Sequence, residues 1–259
     1  MPERVVRHVR VAPSPSAARA VEALIGYEVA DVPHVAIPHP QIDLIFRFGA
    51  AARGSLDAYA FGARAHVHRK TPRGVVRIVT ARIRLGATEA ILGVPAKEIA
   101  GRVVALDDLW GPAATRETFD RLAHAESALE STRIVDSVLA ERMMKARAAP
   151  TVSSLVLDAA GKLVDAPVNA VADELGMSER HLRRVFLERT GLGPKAFAKL
   201  VRFRRAVESA RGERAAGWAE IAVTAGYYDQ AHLIAEFRAI AGMTPRALLA
   251  ELRTVASLS

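Results

Sequence analysis

The chain has 259 residues, is 51% hydrophobic and carries a formal net charge of +8, which is enough for two ordinary domains with real cores and favours polyanionic partners. It contains no cysteine, which excludes disulfides, thiolate metal sites and cysteine nucleophiles. No apolar run is long enough to span a bilayer, and the opening MPERVVRHVRVAP lacks the apolar centre of a signal peptide, so a cytoplasmic protein with no membrane partner is expected.

Residues 1 to about 100 read as mostly β with short helices. In Gln41 to Phe48, Ile42, Leu44, Phe46 and Phe48 share one face, while Gln41, Asp43 and Arg47 share the other. Ile45 interrupts this alternation, which predicts a strand covered on both sides. Val79 to Leu85 alternates again, with Thr80, Arg82 and Arg84 outward. Leu56 to His68 reads as a third strand region interrupted by Gly62. His66 and His68 alternate onto one strand face, the arrangement a β-barrel metal site needs. His34 and His39 are the only candidates for a third ligand, and no Glu follows at a suitable spacing. The expectation is therefore no metal, no cofactor and no catalytic residue. A Gly-rich phosphate loop, an HExxH motif and a nucleophile elbow are all missing from the sequence.

A short helix is predicted from Ala87 to Leu92, with Pro95 starting another turn. Residues 113 to 147 read as helical throughout, with an apolar stripe of Phe119, Leu122, Leu129, Ile134, Val138 and Leu139. Such a stripe packs on a core or pairs with a second copy of the chain. Lys145 to Pro150, KARAAP, reads as a linker, which divides the chain into residues 1–148 and 149–259.

Beyond it, Val152 to Leu163 is a predicted helix, followed by a helix–turn–helix at 168–190. A connecting helix then spans Pro194 to Arg211, and a second helix–turn–helix precedes a last helical turn at Ala247 to Leu252. The two helix–turn–helix units repeat each other. Ala172, Gly176, Leu182, Phe186, Gly191, Pro194 and Phe197 match Ala222, Gly226, Leu233, Phe237, Gly242, Pro245 and Leu248. One extra residue in the second turn, GYYDQ against GMSE, shifts the offset by one. Ser178 and Asp229 are suited to cap the second helix of each unit.

With Leu182, Val185 and Phe186 inward, helical spacing turns Arg180, Arg183 and Arg184 outward, with His181 at the edge. Outward arginines in a major groove can bond guanine O6 and N7. In the second unit the matching surface is Gln230, Ala231, His232, Ile234 and Ala235. Between Arg180 and Arg205 lie nine Lys or Arg residues, Lys195 and Arg202 among them, against the single acid Glu188. This run predicts contact with DNA phosphates.

Residues 168 to 248 resemble the DNA-binding domain of AraC family transcription regulators. The resemblance rests on Leu175-Gly176, Ser178, Leu182 to Phe186, Gly191 and Pro194, and on Ile221-Ala222, Ala225 to His232, Phe237 and Gly242 to Pro245. Residues 83 to 111, with PHPQIDLIFRFG before them, resemble the sensory domain of one branch of such regulators. The resemblance implies an α+β chain with a β-rich sensory domain and an all-α double helix–turn–helix domain. It places Arg180, Arg183 and Arg184 at the family's base-contact positions, and Ala235 where the family commonly has Arg. It further implies double-stranded DNA as partner, a small-molecule effector, a homodimer and contact with RNA polymerase. Two other readings stand beside it: a cupin-like metal-binding enzyme domain tethered to DNA, and an architectural DNA binder with no effector.

Overall fold

The computed structural model describes residues 7–28, 33–49, 56–71, 73–146, 154–212 and 217–257. The chain opens with β1 (Arg7–Val11), a 3-10 turn at Ala17–Arg19, β2 (Val21–Glu28), β3 (His34–Ala36), β4 (Ile42–Gly49), β5 (Leu56–Phe61), β6 (His68–Lys70) and β7 (Val75–Ile83). Helices α1 (Thr88–Leu92) and α2 (Ala96–Ile99) lead to β8 (Val103–Ala105), then α3 (Leu106–Trp110), α4 (Pro112–Leu122) and α5 (Ala128–Lys145). The remainder is helical: α6 (Ser154–Lys162), α7 (Val168–Glu174), α8 (Glu179–Thr190), α9 (Pro194–Arg211), α10 (Trp218–Thr224), α11 (Gln230–Ala241) and α12 (Pro245–Ser257). This is the expected α+β chain, β-rich first and helical second.

Six strands form one antiparallel sheet in the order β1-β2-β7-β4-β5-β8, while β3 and β6 pair separately as a short ribbon. The alternation read in β4 explains the two faces of the sheet. Ile42, Leu44 and Phe46 are buried against Leu24, Val79, Ala81, Val135 and Leu139, so α5 covers that face. Asp43, Ile45 and Arg47 alternate to the other face, which is the floor of a cavity. Ile45 therefore does not break the period; it is the apolar member of a cavity wall.

The helical expectation for residues 113–147 needs a correction. The helix is broken between α4 and α5, where Ser127 Oγ accepts from Glu130 N at 3.2 Å and Glu130 Oε2 accepts from Glu126 N at 2.9 Å. Ser127 and Glu130 carry the S-x-x-E pattern of a capping box, a start signal legible in the sequence, with the Glu130 carboxylate taking the N–H of the residue before the cap. The apolar stripe is consumed within the chain: Leu122, Val138 and Leu139 are buried and Ile134 packs on the core, with Leu129 left exposed.

The strand expected from Leu56 to His68 ends at Phe61. A Cβ on Gly62 would lie 1.7 Å from the Ile99 carbonyl oxygen, so only glycine allows this approach. The Gly62 N–H donates to Arg102 O at 3.0 Å, and the chain then leaves the sheet. Strands β1, β2, β3 and β8 lie outside the stretches whose alternation predicts a strand, and α12 runs well past Leu252. Residues 147–150 of the expected linker lie outside the described residues.

A second core fills the helical part around Phe186, Phe197, Phe203, Leu233 and Phe237, with Phe186 and Phe197 edge-on at 5.2 Å and Phe203 and Phe237 tilted against each other at 4.6 Å. Val35, Ala63 and Val67 belong to this core although they come from the β-rich part. The ribbon and the residue leading into it are thus built into the helical unit: Val67 N, just before β6, donates to Ile240 O at 2.9 Å, and Arg69 makes a two-pronged contact with Glu251 at 2.6 and 2.8 Å.

Candidate nucleic-acid interface

The two helix–turn–helix units are built from matching parts. Ser178 Oγ accepts from His181 N at 3.2 Å at the start of α8, and Asp229 Oδ1 accepts from His232 N at 2.7 Å at the start of α11. Each carboxylate or hydroxyl satisfies an amide that the helix leaves without an internal partner. Both helices end on a left-handed glycine, Gly191 and Gly242, each with φ of 74°. Pro194 and Pro245 then open the helices that follow. Leu182 and Phe186 in α8, and Leu233 and Phe237 in α11, are fully buried. Their opposite faces are thereby turned to solvent.

Arg180, His181 and Arg184 are exposed on α8, with Arg184 Nη2 3.4 Å from His181 Nδ1. Arg183 is half-buried and ion-paired to Glu179 one turn earlier. On α11, Gln230, Ala231, His232 and Ala235 are exposed, and Ile234 is half-buried. Lys195 is exposed at the start of α9. Arg202 does not join this surface. It turns inward, where its Nη2 donates to Glu236 Oε1 at 2.9 Å and its guanidinium stacks 5.7 Å from the Tyr227 ring centre. Burial, and then the Glu236 carboxylate, push the Tyr227 phenol well above its ordinary value, keeping it neutral.

The cationic run divides into two groups. Arg183, Arg189, Arg202, Arg204 and Arg205 each pair with an acid: Glu179, Glu89, Glu236, Glu208 and Asp165 respectively. Arg180, Arg184, Lys195 and Lys199 have no ion pair among the described residues, and these are the cations available to a phosphate. The acids that restrain the first group are scattered from Glu89 to Glu236, outside the local window from which the run was read.

The first unit is also held by the β-rich part. Arg189 reaches Glu89 of α1 at 2.6 Å, and Lys97 of α2 reaches Glu188 at 2.6 Å. A Cβ on Gly191 would lie 2.9 Å from Ala96 O and 3.2 Å from Ala100 Cβ, so α2 packs directly on the end of α8. These contacts lie at the C-terminal end of α8, away from Arg180 and Arg184 in its first turns.

Between the sheet and the ribbon lies a cavity of about 940 Å³. Its floor includes Asp43, Ile45 and Arg47 of β4 and Ile78, Thr80 and Arg82 of β7; its roof includes His34, His68 and Lys70 of the ribbon. Asp43 is bonded to His39 at 2.8 Å and to Arg82 at 3.1 Å. Burial acts to raise its pKa, but these two partners outweigh that and hold the carboxyl below its ordinary value. His66 and His68 both line the cavity, yet only His68 lies in a strand. No three His, Asp or Glu side chains among the described residues converge as a metal site. Among the described residues no helix is long and apolar enough to cross a membrane.

Comparison with known proteins finds matches to two separate stretches of the chain. Residues 171–251 match the family model of a helix-turn-helix domain, and residues 9–105 match a domain of unknown function (DUF6597). No curated protein matches the chain. Among solved structures, unsaturated fatty acid bound ToxT from Vibrio cholerae is similar at 9% identity, covering 92% of this chain and 96% of that one, with a TM-score of 0.44. ToxT from Vibrio cholerae O395 is similar at 10% identity, covering 95% and 96%, with a TM-score of 0.41. Likeness at this level leaves the functional reading to the residues themselves.

Proposed function

We propose that this chain, whose residues 171–251 are an AraC-type helix-turn-helix domain, is a sequence-specific transcription regulator of double-stranded DNA controlled by a small molecule in its β-rich part. The observation that carries this reading is the paired polar surface of α8 and α11 on one helical unit. Arg180, His181 and Arg184 stand on the first helix, Gln230 and His232 on the second, and each helix is fixed by its own cap and buried Phe. Two such helices held by α9 suit successive major-groove segments about 34 Å apart on one face of the duplex. Lys195 and Lys199 at the start of α9 would neutralise backbone phosphates, which supply affinity, while base contacts supply choice.

Control by a small molecule is supported by the place of the ribbon. In β6 His68 and Lys70 line the cavity, while Arg69 between them and Val67 just before the strand face the helical unit. A ligand that prefers one setting of this strand biases the second helix–turn–helix with it, by no more than its own difference in affinity for the two settings. The homodimer and the contact with RNA polymerase belong to this reading as parts of a regulator's working assembly. Selection of DNA from a randomised pool by the full chain tests it. One enriched site with two segments a helical turn apart is expected, lost in a variant carrying Arg180→Ala and Arg184→Ala. Enrichment of no sequence would overturn the proposal.

A further inference from the structure

The cavity wall carries an excess of positive charge. Arg47, Arg64, Lys70, Arg73 and Arg82 line it, together with His34, His66 and His68. Against these stands Asp43, already engaged by His39 and Arg82, while Arg47 is taken by Asp57 through two bonds of 2.6 and 2.8 Å. Arg64 and Lys70 make no ion pair among the described residues, although the Asp43 carboxylate acts on Arg64 from a distance. Both lie over one aromatic ring: the Arg64 guanidinium is 4.1 Å and the Lys70 ammonium 4.8 Å from the centre of Phe61. Two cations gathered on one ring repel each other, and the ring's quadrupole offsets only part of that repulsion.

The titration of neighbouring groups agrees with that geometry. Burial, then Arg64 and Arg47, lower the Lys70 pKa. Burial, then Arg64, Lys70 and His66, lower that of His68. An anion seated between Arg64 and Lys70 would relieve this strain, and Ile37, Ile45, Val75 and Ile78 give the same wall apolar surface among its polar groups.

We propose that Arg64 and Lys70, stacked on Phe61, are the anion-binding end of the cavity, and that its ligand is a small organic acid with an apolar body. This rests on the reading of the cavity as an effector site and names the chemical class it takes. Lys70 lies on the ribbon strand whose next residue inward, Arg69, grips Glu251 of α12, so the acid group is bound on the element that touches the DNA-binding unit.

The test is calorimetric titration of the full-length protein, without DNA, using phenylacetate, its neutral analogue phenylacetamide, and inorganic phosphate. Phenylacetate is expected to bind at least roughly tenfold more tightly than either. A variant carrying Arg64→Gln and Lys70→Gln should bind phenylacetate and phenylacetamide alike. Retained selection of the same DNA site by that variant shows that it is folded; a variant that loses DNA selection is replaced by the Lys70→Gln single change, for which a loss of severalfold is expected. Equal binding of acid and amide, unchanged binding by the variant, phosphate binding as tightly as phenylacetate, or no binding of any probe would each overturn the proposal. Because no DNA enters the titration, its failure is separate from a failure of DNA recognition.

Discussion

Arg202 of α9 donates to Glu236 of α11 at 2.9 Å, and both side chains are largely withdrawn from water, with 21% and 11% exposed. This bond fixes α11 against α9 at the level of Tyr227. His232 approaches the same carboxylate at 3.5 Å, so an exposed candidate base-reading side chain leans on the buried pair. Removing one partner of such a pair leaves the other charge buried and uncompensated.

Arg202→Ala should therefore destabilise the protein by about 2–3 kcal/mol, slightly below the range for fully buried pairs. Replacing both residues, with Arg202→Met and Glu236→Leu, should recover most of that loss. Urea denaturation of the three proteins checks it. A loss within about 0.5 kcal/mol for the single variant, the range of an ordinary surface change, would show that the pair is solvated in solution.

The DNA affinity should depend on salt less steeply than the cationic run alone suggests. Five of its members are paired within the protein, and Arg180, Arg184, Lys195 and Lys199 remain. With roughly 0.9 counterions released per phosphate neutralised, the slope of log affinity against log salt should be roughly −3 to −4. A slope near zero, measured by fluorescence anisotropy on the selected site, would mean that these four side chains do not lie on the backbone.

The two recognition helices should contribute unequally. Arg184→Ala should cost about 1–3 kcal/mol and relax choice at one or two base pairs. Gln230→Ala should cost about 1 kcal/mol, since a neutral amide brings weaker bonds than a guanidinium. The randomised-pool selection reports both, and a sharper preference beneath Gln230 and His232 would contradict the expectation.

Gly191 and Gly242 offer an internal control. Both have φ of 74°, so alanine at either meets the same left-handed strain, on the order of 1–2 kcal/mol. A Cβ at Gly242 meets nothing within 4 Å, whereas at Gly191 it meets Ala96 O at 2.9 Å. Gly191→Ala should thus cost roughly 1–3 kcal/mol more than Gly242→Ala. Equal losses on thermal or urea unfolding would show that α2 does not press on the first unit in solution.

What the sequence made legible follows the range of the interactions concerned. The bounds of α9, the caps Ser178 and Asp229 and the inward faces of α8 and α11 are set by residues within a turn or two, and they could be read directly. The ribbon could not. Each of its strands has three residues, and Val35 in β3 and Val67 just before β6 are single apolar residues whose partners lie far along the chain, in a core built mostly from Val156 onward. The inward turn of Arg202 was hidden for the same reason, since Glu236 is far along the chain and its burial depends on tertiary packing. The break before α5 was different: Ser127 and Glu130 signalled it locally, and the apolar stripe running past them masked the signal.

The β-rich part meets the duplicated units at two unrelated places: α1 and α2 at the end of α8, and the ribbon against α11 and α12. The two units share a residue pattern but answer to different neighbours. On the proposed reading, a disturbance beneath the ribbon would reach one half of a bound DNA site, and a disturbance of α2 the other. Such a chain could loosen its hold on one segment while keeping its place on the other, which gives a single polypeptide two separately adjustable addresses on the same stretch of duplex.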